Sequence, residues 1–413
     1  MSMHIQPILA ALRKHKAGTL LIALQIALTL AIVCNALFII HQRLAHIAEP
    51  TGVDESNVFV IENMWGEQYN KQQAAANVEQ DLATLRNLPA VQDATQSDSY
   101  PLSTVGGSDN FITLKVDQVE PTTDATVYSG DEHFLHTLGL KLIAGRDFRA
   151  DEVKDAGQRD VVVPPVTIIS KAMADKLYPN GDALGKSFYS MSSTPVTIVG
   201  IVETMQRSRL GAWAIPYAEQ SMVWPIRDAS PLGVFYIVRA KPGQLAAAMQ
   251  EAPKALYAAN RMRIINPKDG LMSFAQVRRR AYDSDRGMAI LMGIICVVLL
   301  AITGAGIVGL TSFWVGQRRR QIGVRRALGA THRDILHYFL TENLLISVGG
   351  IGVGIVLTFG LNLWLVTRFE LGIMPLTYVL SGVVLLIVLG QGAVFAPALR
   401  ASRVPPVEAT RPA

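Results

Sequence analysis

Across 413 residues, half of the side chains are apolar, only 17% are charged, and the mean hydropathy is +0.28. An ordinary soluble domain carries about a quarter charged residues, so that class is excluded. The formal charge of +5 does not point to nucleic acid, because the clustered basic residues flank apolar runs where membrane topology accounts for them.

Four uncharged stretches are long enough to cross a bilayer, which takes about 20 residues: 17–40, 288–314, 344–366 and 373–396. The first follows a tail, residues 1–16, that carries Arg13, Lys14 and Lys16 without an acid. Its apolar core is too long for a cleaved leader and no small-residue cleavage site follows, so it reads as an uncleaved anchor. Gln25 and Asn35 within it are expected to face protein, since an unpaired amide in hydrocarbon is costly. Cys34 and Cys296 both lie in apolar runs and read as packed thiols rather than a disulfide.

Residues 41–287 are polar enough to fold outside the membrane on a core of their own. Strand-like residues 57–62 and helical residues 72–88 are followed much later by a strand at 235–240, a helix at 244–260 and a strand at 262–265. Those pieces suggest two β-α-β halves forming an α/β subdomain over about 45–105 and 231–270. The intervening segment, about 106–230, has strand-like runs at 111–116, 161–163, 166–169 and 196–202 and reads as a mostly β insertion. The fold class expected is therefore a membrane domain of four helices with a large α+β extracytoplasmic domain.

No catalytic, cofactor or metal site is expected in that domain. Gly181 and Gly185-Lys186-Ser187 imitate a phosphate-binding loop, but three residues rather than four separate the glycines, and a turn opening a strand is the better reading. His133 and His136 have a possible metal spacing, although an i, i+3 pair on a short helix is usually local packing. After Pro267, residues 271–286, with Gln276, Arg279 and Tyr282, read as a polar helix running unbroken into the second span. It is either a stalk that passes movement along or a plain solvated lead-in.

The second span contains Gly304, Gly306 and Gly309 in G-x-G-x-x-G spacing, at membrane depth and with no preceding strand, which argues for close helix packing rather than a dinucleotide. Gly350 and Gly354 repeat the pattern in the third span. Between these spans, residues 315–343 hold Arg318, Arg319, Arg320, Arg325, Arg326 and Arg333 against Asp334. The loop between the last spans has only Arg368, offset by Glu370. The closing tail, 397–413, has Arg400, Arg403 and Arg411 against Glu408. The positive-inside bias places both termini and the Arg-rich loop in the cytoplasm.

Topology alone does not require Ile322, Val324, Ala327 and Leu328, which are expected to form an apolar stripe beside a basic face on a short helix. Gly329 would stop that helix and Thr331 would cap the next. Such a helix can rest in lipid headgroups or dock into a partner.

Arg318, Arg320, Ile322, Gly323, Arg325, Ala327, Leu328, Gly329, Ala330 and Ile335 match the loop of the MacB/FtsX-type family of ABC-transporter permeases, with Gln321 in place of the usual Glu. Pro397, Ala398, Ala401, Pro406, Glu408, Ala409 and Arg411 are similar to the family's closing motif. In the polar domain, Gly139, Leu140, Leu142, Gly145 and Arg146, and later Gly181, Asp182 and Gly185, resemble its recurrent turns. The resemblance implies an inner-membrane permease, itself non-catalytic, acting as a homodimer or heterodimer with a cytoplasmic ABC ATPase on a separate polypeptide. It implies that Ile322, Gly323, Arg325, Arg326, Ala327, Leu328, Gly329 and Ala330 couple to that ATPase, and that 271–287 is a stalk. Efflux of a drug, peptide or lipid-like substrate, working with a periplasmic adaptor and outer-membrane channel, is the leading function the resemblance implies. The alternatives are an ATP-driven regulator of an envelope enzyme or signalling partner, and lipoprotein release. Membrane lipid is an expected partner and nucleic acid is not.

Overall fold

The first apolar run forms α1 (Lys16–Ala48), whose 33 residues exceed the span of a bilayer core. The computed structural model describes residues 16–67, 69–156, 162–209, 217–369 and 372–403. Arg13, Lys14, Val161, Glu370, Pro406, Glu408, Ala409 and Arg411 lie outside the described residues. Residues 49–283 form one unit, and the long helices on either side of it in sequence form another.

In the α/β unit, β1 (Val58–Trp65) leads to α2 (Lys71–Arg86), which opens on a capping box between Asn70 and Gln73. Next come β2 (Val91–Ser97), β3 (Ser108–Thr113), β4 (Thr123–Gly130), α3 (Phe134–Leu138), β5 (Leu142–Gly145) and β6 (Lys154–Ala156). They are followed by β7 (Val166–Ser170), α4 (Lys171–Leu177), β8 (Ser187–Ser190), β9 (Pro195–Val202) and β10 (Ser221–Asp228). The unit closes with β11 (Gly233–Ala240), α5 (Leu245–Ala259), β12 (Arg263–Ile264), β13 (Leu271–Ser273) and α6 (Phe274–Ala281).

Two sheets result. One runs β12-β1-β11-β2 with β13 also on β1, and is built from the sequence on both sides of the insertion. Its β1–β11 ladder is antiparallel with Ile61 opposite Tyr236. Phe59, Ile61, Tyr236 and Val238 share a core with Val78, Leu82 and Leu85 of α2 and Ala248 and Leu256 of α5. The other sheet runs β4-β3-β8-β9-β7-β10, and β10 pairs in parallel with β4, so the insertion closes into a small barrel. Closure removes the open edges that would otherwise invite pairing with another chain. Its core holds Val127, Ile169, Met173, Phe188, Ile198 and Met222.

Several short elements had no clear hydropathy signal. β2 and β4 carry Thr, Ser and Gln at buried positions, so strict apolar alternation is missing. Conversely, Val162 and Val163 are not in a strand, and the Gly181–Gly185 segment is a turn ahead of β8, with both glycines at positive φ. The sheet that joins the two halves is locked by a buried polar cluster. Arg263 makes two 2.8 Å hydrogen bonds to the Asp81 carboxylate and one of 3.1 Å to Asn63, and the Tyr236 hydroxyl donates to Asp81 at 2.6 Å.

At the end of β10, burial and the neighbouring Asp98 push the Asp228 carboxyl up to about 7 from an ordinary 3.8. Between those values the folded chain holds a proton that the unfolded chain releases. Stability therefore falls as pH rises through that window, and the loss is complete above about 7. Asp228→Asn is expected to be near neutral at pH 4 and to stabilise by on the order of 3 kcal/mol at pH 8. Denaturant midpoints of the full chain at the two pH values check this.

The helical unit adds α7 (Asp283–Gln317), α8 (Arg319–Ala327), α9 (His332–Phe369) and α10 (Leu376–Ser402) to α1. Four of these, all but α8, are long and apolar enough to cross a membrane. The fourth helix starts at Leu376, after Pro375, rather than at residue 373, because proline suits the entry of a helix and not its interior. α1 is the most enclosed of the four and α7 the least.

Small residues set the approach of α9 to α1. A Cβ added at Gly350 would lie 2.7 Å from the Ala23 carbonyl oxygen, and one at Gly354 would lie 3.0 Å from the Ala27 Cα. On α7, Gly306 faces the Gln25 amide, whereas a Cβ at Gly304 would make only an ordinary 3.6 Å contact with Leu389. Gln25 donates to the Ile302 carbonyl at 3.1 Å and Thr29 bonds Thr303 at 2.7 Å. Asn35 donates to Ala31 and Thr358 carbonyls, so both amides of the first span face protein. Cys34 and Cys296 are free and buried.

Candidate functional site

The Arg-rich segment between α7 and α9 is built around one tight turn. α7 ends at Gln317, and Arg318 leaves helical geometry while its guanidinium makes two 3.0 Å bonds to Glu342 of α9. Glu342 is 2% exposed, so this ion pair sits largely out of water and fixes where α8 begins.

From there α8 presents two unlike faces. Ile322 and Gly323 are buried, and Ile322 joins the helical core with Ile335 and Phe339. Val324, Ala327 and Leu328 are exposed, Leu328 at 83%. The expected single stripe is therefore corrected. Positions 324, 327 and 328 share one face at i, i+3, i+4 spacing, but 322 lies nearly opposite 324 on a helix of 3.6 residues per turn. Ile322 is the anchor, and the other three form the exposed face.

The helix stops by backbone chemistry. Gly329 sits at φ +95°, its N–H donates to Arg326 at 3.1 Å, and the Ala330 N–H donates to Arg325 at 3.0 Å. This crossed pair is a Schellman closure, for which glycine supplies the left-handed residue. Leu328 is the C-cap, held out at the tip of the turn. Beyond it, Thr331 and Asp334 exchange side-chain and backbone hydrogen bonds at the entry of α9.

The basic residues divide as well. Arg325 lies over the Tyr338 ring at 5.0 Å, and Arg326 donates to the Ser402 carbonyl at 3.2 Å. These two cations are used inside the unit, tying α8 to α9 and to the end of α10. Arg319 and Arg320 remain on the exposed side. The result is an apolar tip, rigidly framed and flanked by positive charge, suited to insertion into a groove with an acidic rim.

Of the residues read as a stalk, Gln276 is the capping-box partner of Ser273 and Arg279 is exposed. Tyr282 is fully buried and donates to the Gln206 side chain at 3.1 Å. The helix expected to run unbroken over 271–286 is divided. Residues 271–273 pair with β1, and Tyr282 terminates α6 before α7 begins. Arg278, in the same polar helix, bonds Glu55 at 2.5 Å and the Glu49 carbonyl at 2.8 Å. Its signal was present only as one arginine among three. His133 and His136 both place Nδ1 on the Asp93 carboxylate, at 3.1 and 2.7 Å. Burial raises the Asp93 pKa, but those two bonds outweigh it and hold the group below the usual range.

Two family profiles match the chain. Residues 19–256 match the MacB-like periplasmic core domain and residues 293–406 the FtsX-like permease C-terminal domain. The macrolide export ATP-binding/permease protein MacB of Chromobacterium violaceum is 26% identical over 296 residues, covering 69% of this chain and 43% of that protein. The chain thus spans less than half of that relative's length. The ABC transporter permease YvrN of Bacillus subtilis is 27% identical over 297 residues, 69% of each chain. The periplasmic region of MacB from Actinobacillus actinomycetemcomitans aligns at 14% identity and TM-score 0.34, covering 57% of this chain and 97% of that structure.

Proposed function

The chain belongs to the MacB/FtsX type of ABC transporter permease, and we propose that Leu328 and its neighbours on α8 couple it to an ABC ATPase. The observation that carries this reading is an 83% exposed leucine at the tip of a turn framed by the buried Ile322, by the contacts of Arg325 and Arg326 and by the Gly329–Ala330 closure. A structure that only needed positive charge for topology has no reason to fix an apolar side chain there. Closure of the ATPase on ATP pushes this tip, and α1 and α7 transmit the displacement to the α/β domain. Arg278 and Tyr282 hold α6 to that domain, which makes them better placed than Gln276 or Arg279 to receive it.

On this reading both termini and α8 face the cytoplasm, and residues 49–283 face the opposite side. The permease works as a dimer whose output is export of a substrate, the reading favoured by the names of the MacB relatives. A photo-crosslinking residue at position 328, activated in native membranes, tests the coupling. The expected product is a protein containing a phosphate-binding loop and an ABC signature. Crosslinks to lipid alone, with that ATPase expressed, would mean an interfacial helix and would end the proposal.

A further inference from the structure

The chain passes between the two units twice, at Ala48–Glu49 and at Asp283–Ser284. Inside the α/β domain the two crossings are tied to each other. Arg278 bonds both the Glu49 carbonyl and Glu55, and Glu55 accepts from the Thr51 hydroxyl. They are also tied to one buried segment, residues 204–208. The Gln206 N–H donates to the Thr51 carbonyl at 3.4 Å, and the Gln206 side chain accepts from the Tyr282 hydroxyl at 3.1 Å. Gly52, at φ +83°, lies so close to this segment that an added Cβ would collide with the Thr204 carbonyl oxygen.

The same segment grips the barrel. Tyr128 of β4, fully buried, donates its hydroxyl to the Gln206 carbonyl at 2.7 Å. The Arg207 side chain, 0% exposed, pairs with Asp109 of β3 at 2.7 Å and with Asp124 of β4 at 3.6 Å. A buried cation held by carboxylates on two adjacent strands makes a stiff connection, because breaking it leaves charge out of water. Met205, Gln206, Arg207 and Ser208 are all buried, so the segment has little room to move without its neighbours.

Backbone strain marks where the domain can give. Leu102 sits in residues 98–107, the connection from β2 of the first sheet into β3 of the barrel. It is held at φ +65°, a left-handed conformation that is costly for a residue with a Cβ. Its N–H donates to the Arg207 carbonyl at 2.9 Å. The residue that grips the barrel strands through its side chain thus also holds, through its backbone, a strained connection between the two sheets. Strain at such a point is retained only where the surroundings fix it, and a shift of Arg207 removes that support.

We propose that residues 204–208 are a relay that carries displacement of the two chain crossings to β3 and β4, so that the barrel shifts against the first sheet about the Leu102 connection. The inference rests on the reading of the chain as an ATP-driven permease for the source of the movement, and it names the part of the α/β domain that moves. Its test uses neither ATP nor an ATPase, so its failure is distinct from a failure of coupling at Leu328.

The experiment measures distances between nitroxide labels by double electron–electron resonance on the full chain in lipid nanodiscs, with Cys34 and Cys296 replaced by alanine. One label is on Gln80→Cys of α2, which packs on the first sheet, and the other on Phe111→Cys or Leu184→Cys of the barrel, all three at exposed positions. Gly52→Ala drives the first crossing against Thr204 and so imposes the displacement without nucleotide. At least one of the two distances is expected to shift by about 2 Å, the scale of packed-element shifts in switching proteins. Gly243→Ala is the control, with the same left-handed backbone at φ +77° but open space around the added Cβ, and should leave both distances unchanged. If Gly52→Ala does not fold, Tyr282→Phe, which removes only the hydroxyl on Gln206, is expected to broaden the barrel distances. Unchanged distances in folded Gly52→Ala, unchanged distributions in Tyr282→Phe where it stands in, or an equal shift in Gly243→Ala would overturn the relay.

Discussion

Leu328→Asp is expected to abolish ATP-driven turnover while leaving the protein inserted and folded. The wild-type side chain is 83% exposed, so the substitution removes almost no internal packing, and its effect on stability should stay within about 0.5 kcal/mol. Docking reverses the balance. Burying a leucine contributes about 2–3 kcal/mol, and a carboxylate pushed into the same apolar groove adds a desolvation cost. A combined loss above about 3 kcal/mol corresponds to more than a hundredfold in affinity for the ATPase. Leu328→Met, apolar and close in volume, should restore most of the coupling. The measurements are co-purification with the ATPase and permease-stimulated ATP turnover, alongside the amount of protein in the membrane fraction. Wild-type turnover in the aspartate variant would remove Leu328 from the coupling surface.

Why the tip was only partly legible follows from helix geometry. Hydropathy marked Ile322, Val324, Ala327 and Leu328 together, but over nine residues it cannot say which apolar side chain faces inward. That depends on α9 and α10, which lie beyond the helix. Arg318 illustrates the same limit. By sequence it is one positive charge among six, whereas its partner Glu342, 24 residues on, makes it the fixed start of α8. The long spans and the two-sheet division were legible because each rests on a periodic apolar run of its own. β2 and β4 were not, because their buried Thr, Ser and Gln side chains are satisfied by partners elsewhere in the chain, as Thr95 is by Asp131.

Asp81→Ala is expected to destabilise the α/β domain by about 3–5 kcal/mol, because it strands a buried guanidinium. The Arg263 and Asp81 side chains are 0% and 2% exposed, and the pair spans 182 residues of sequence. It joins α2, from the first β-α-β half, to β12, from the second. Without the carboxylate, Arg263 keeps Asn63 and the Asn260 carbonyl as hydrogen-bond partners among the described residues, and the Tyr236 hydroxyl loses its acceptor. Replacing the whole cluster tells a different story. Asp81→Leu with Arg263→Met and Tyr236→Phe removes the charges and the hydroxyl together, and is expected to lie within about 1–2 kcal/mol of wild type. Trp65 stacks 5.5 Å from the Arg263 guanidinium, so its fluorescence in a denaturant titration of the full chain reports on this site directly. A loss below 1 kcal/mol for Asp81→Ala would mean that the ion pair is replaceable by water and that the apolar contacts of α2 and α5 alone join the halves. A large loss, recovered in the triple variant, would mean that the cluster specifies how the two halves meet without adding net stability.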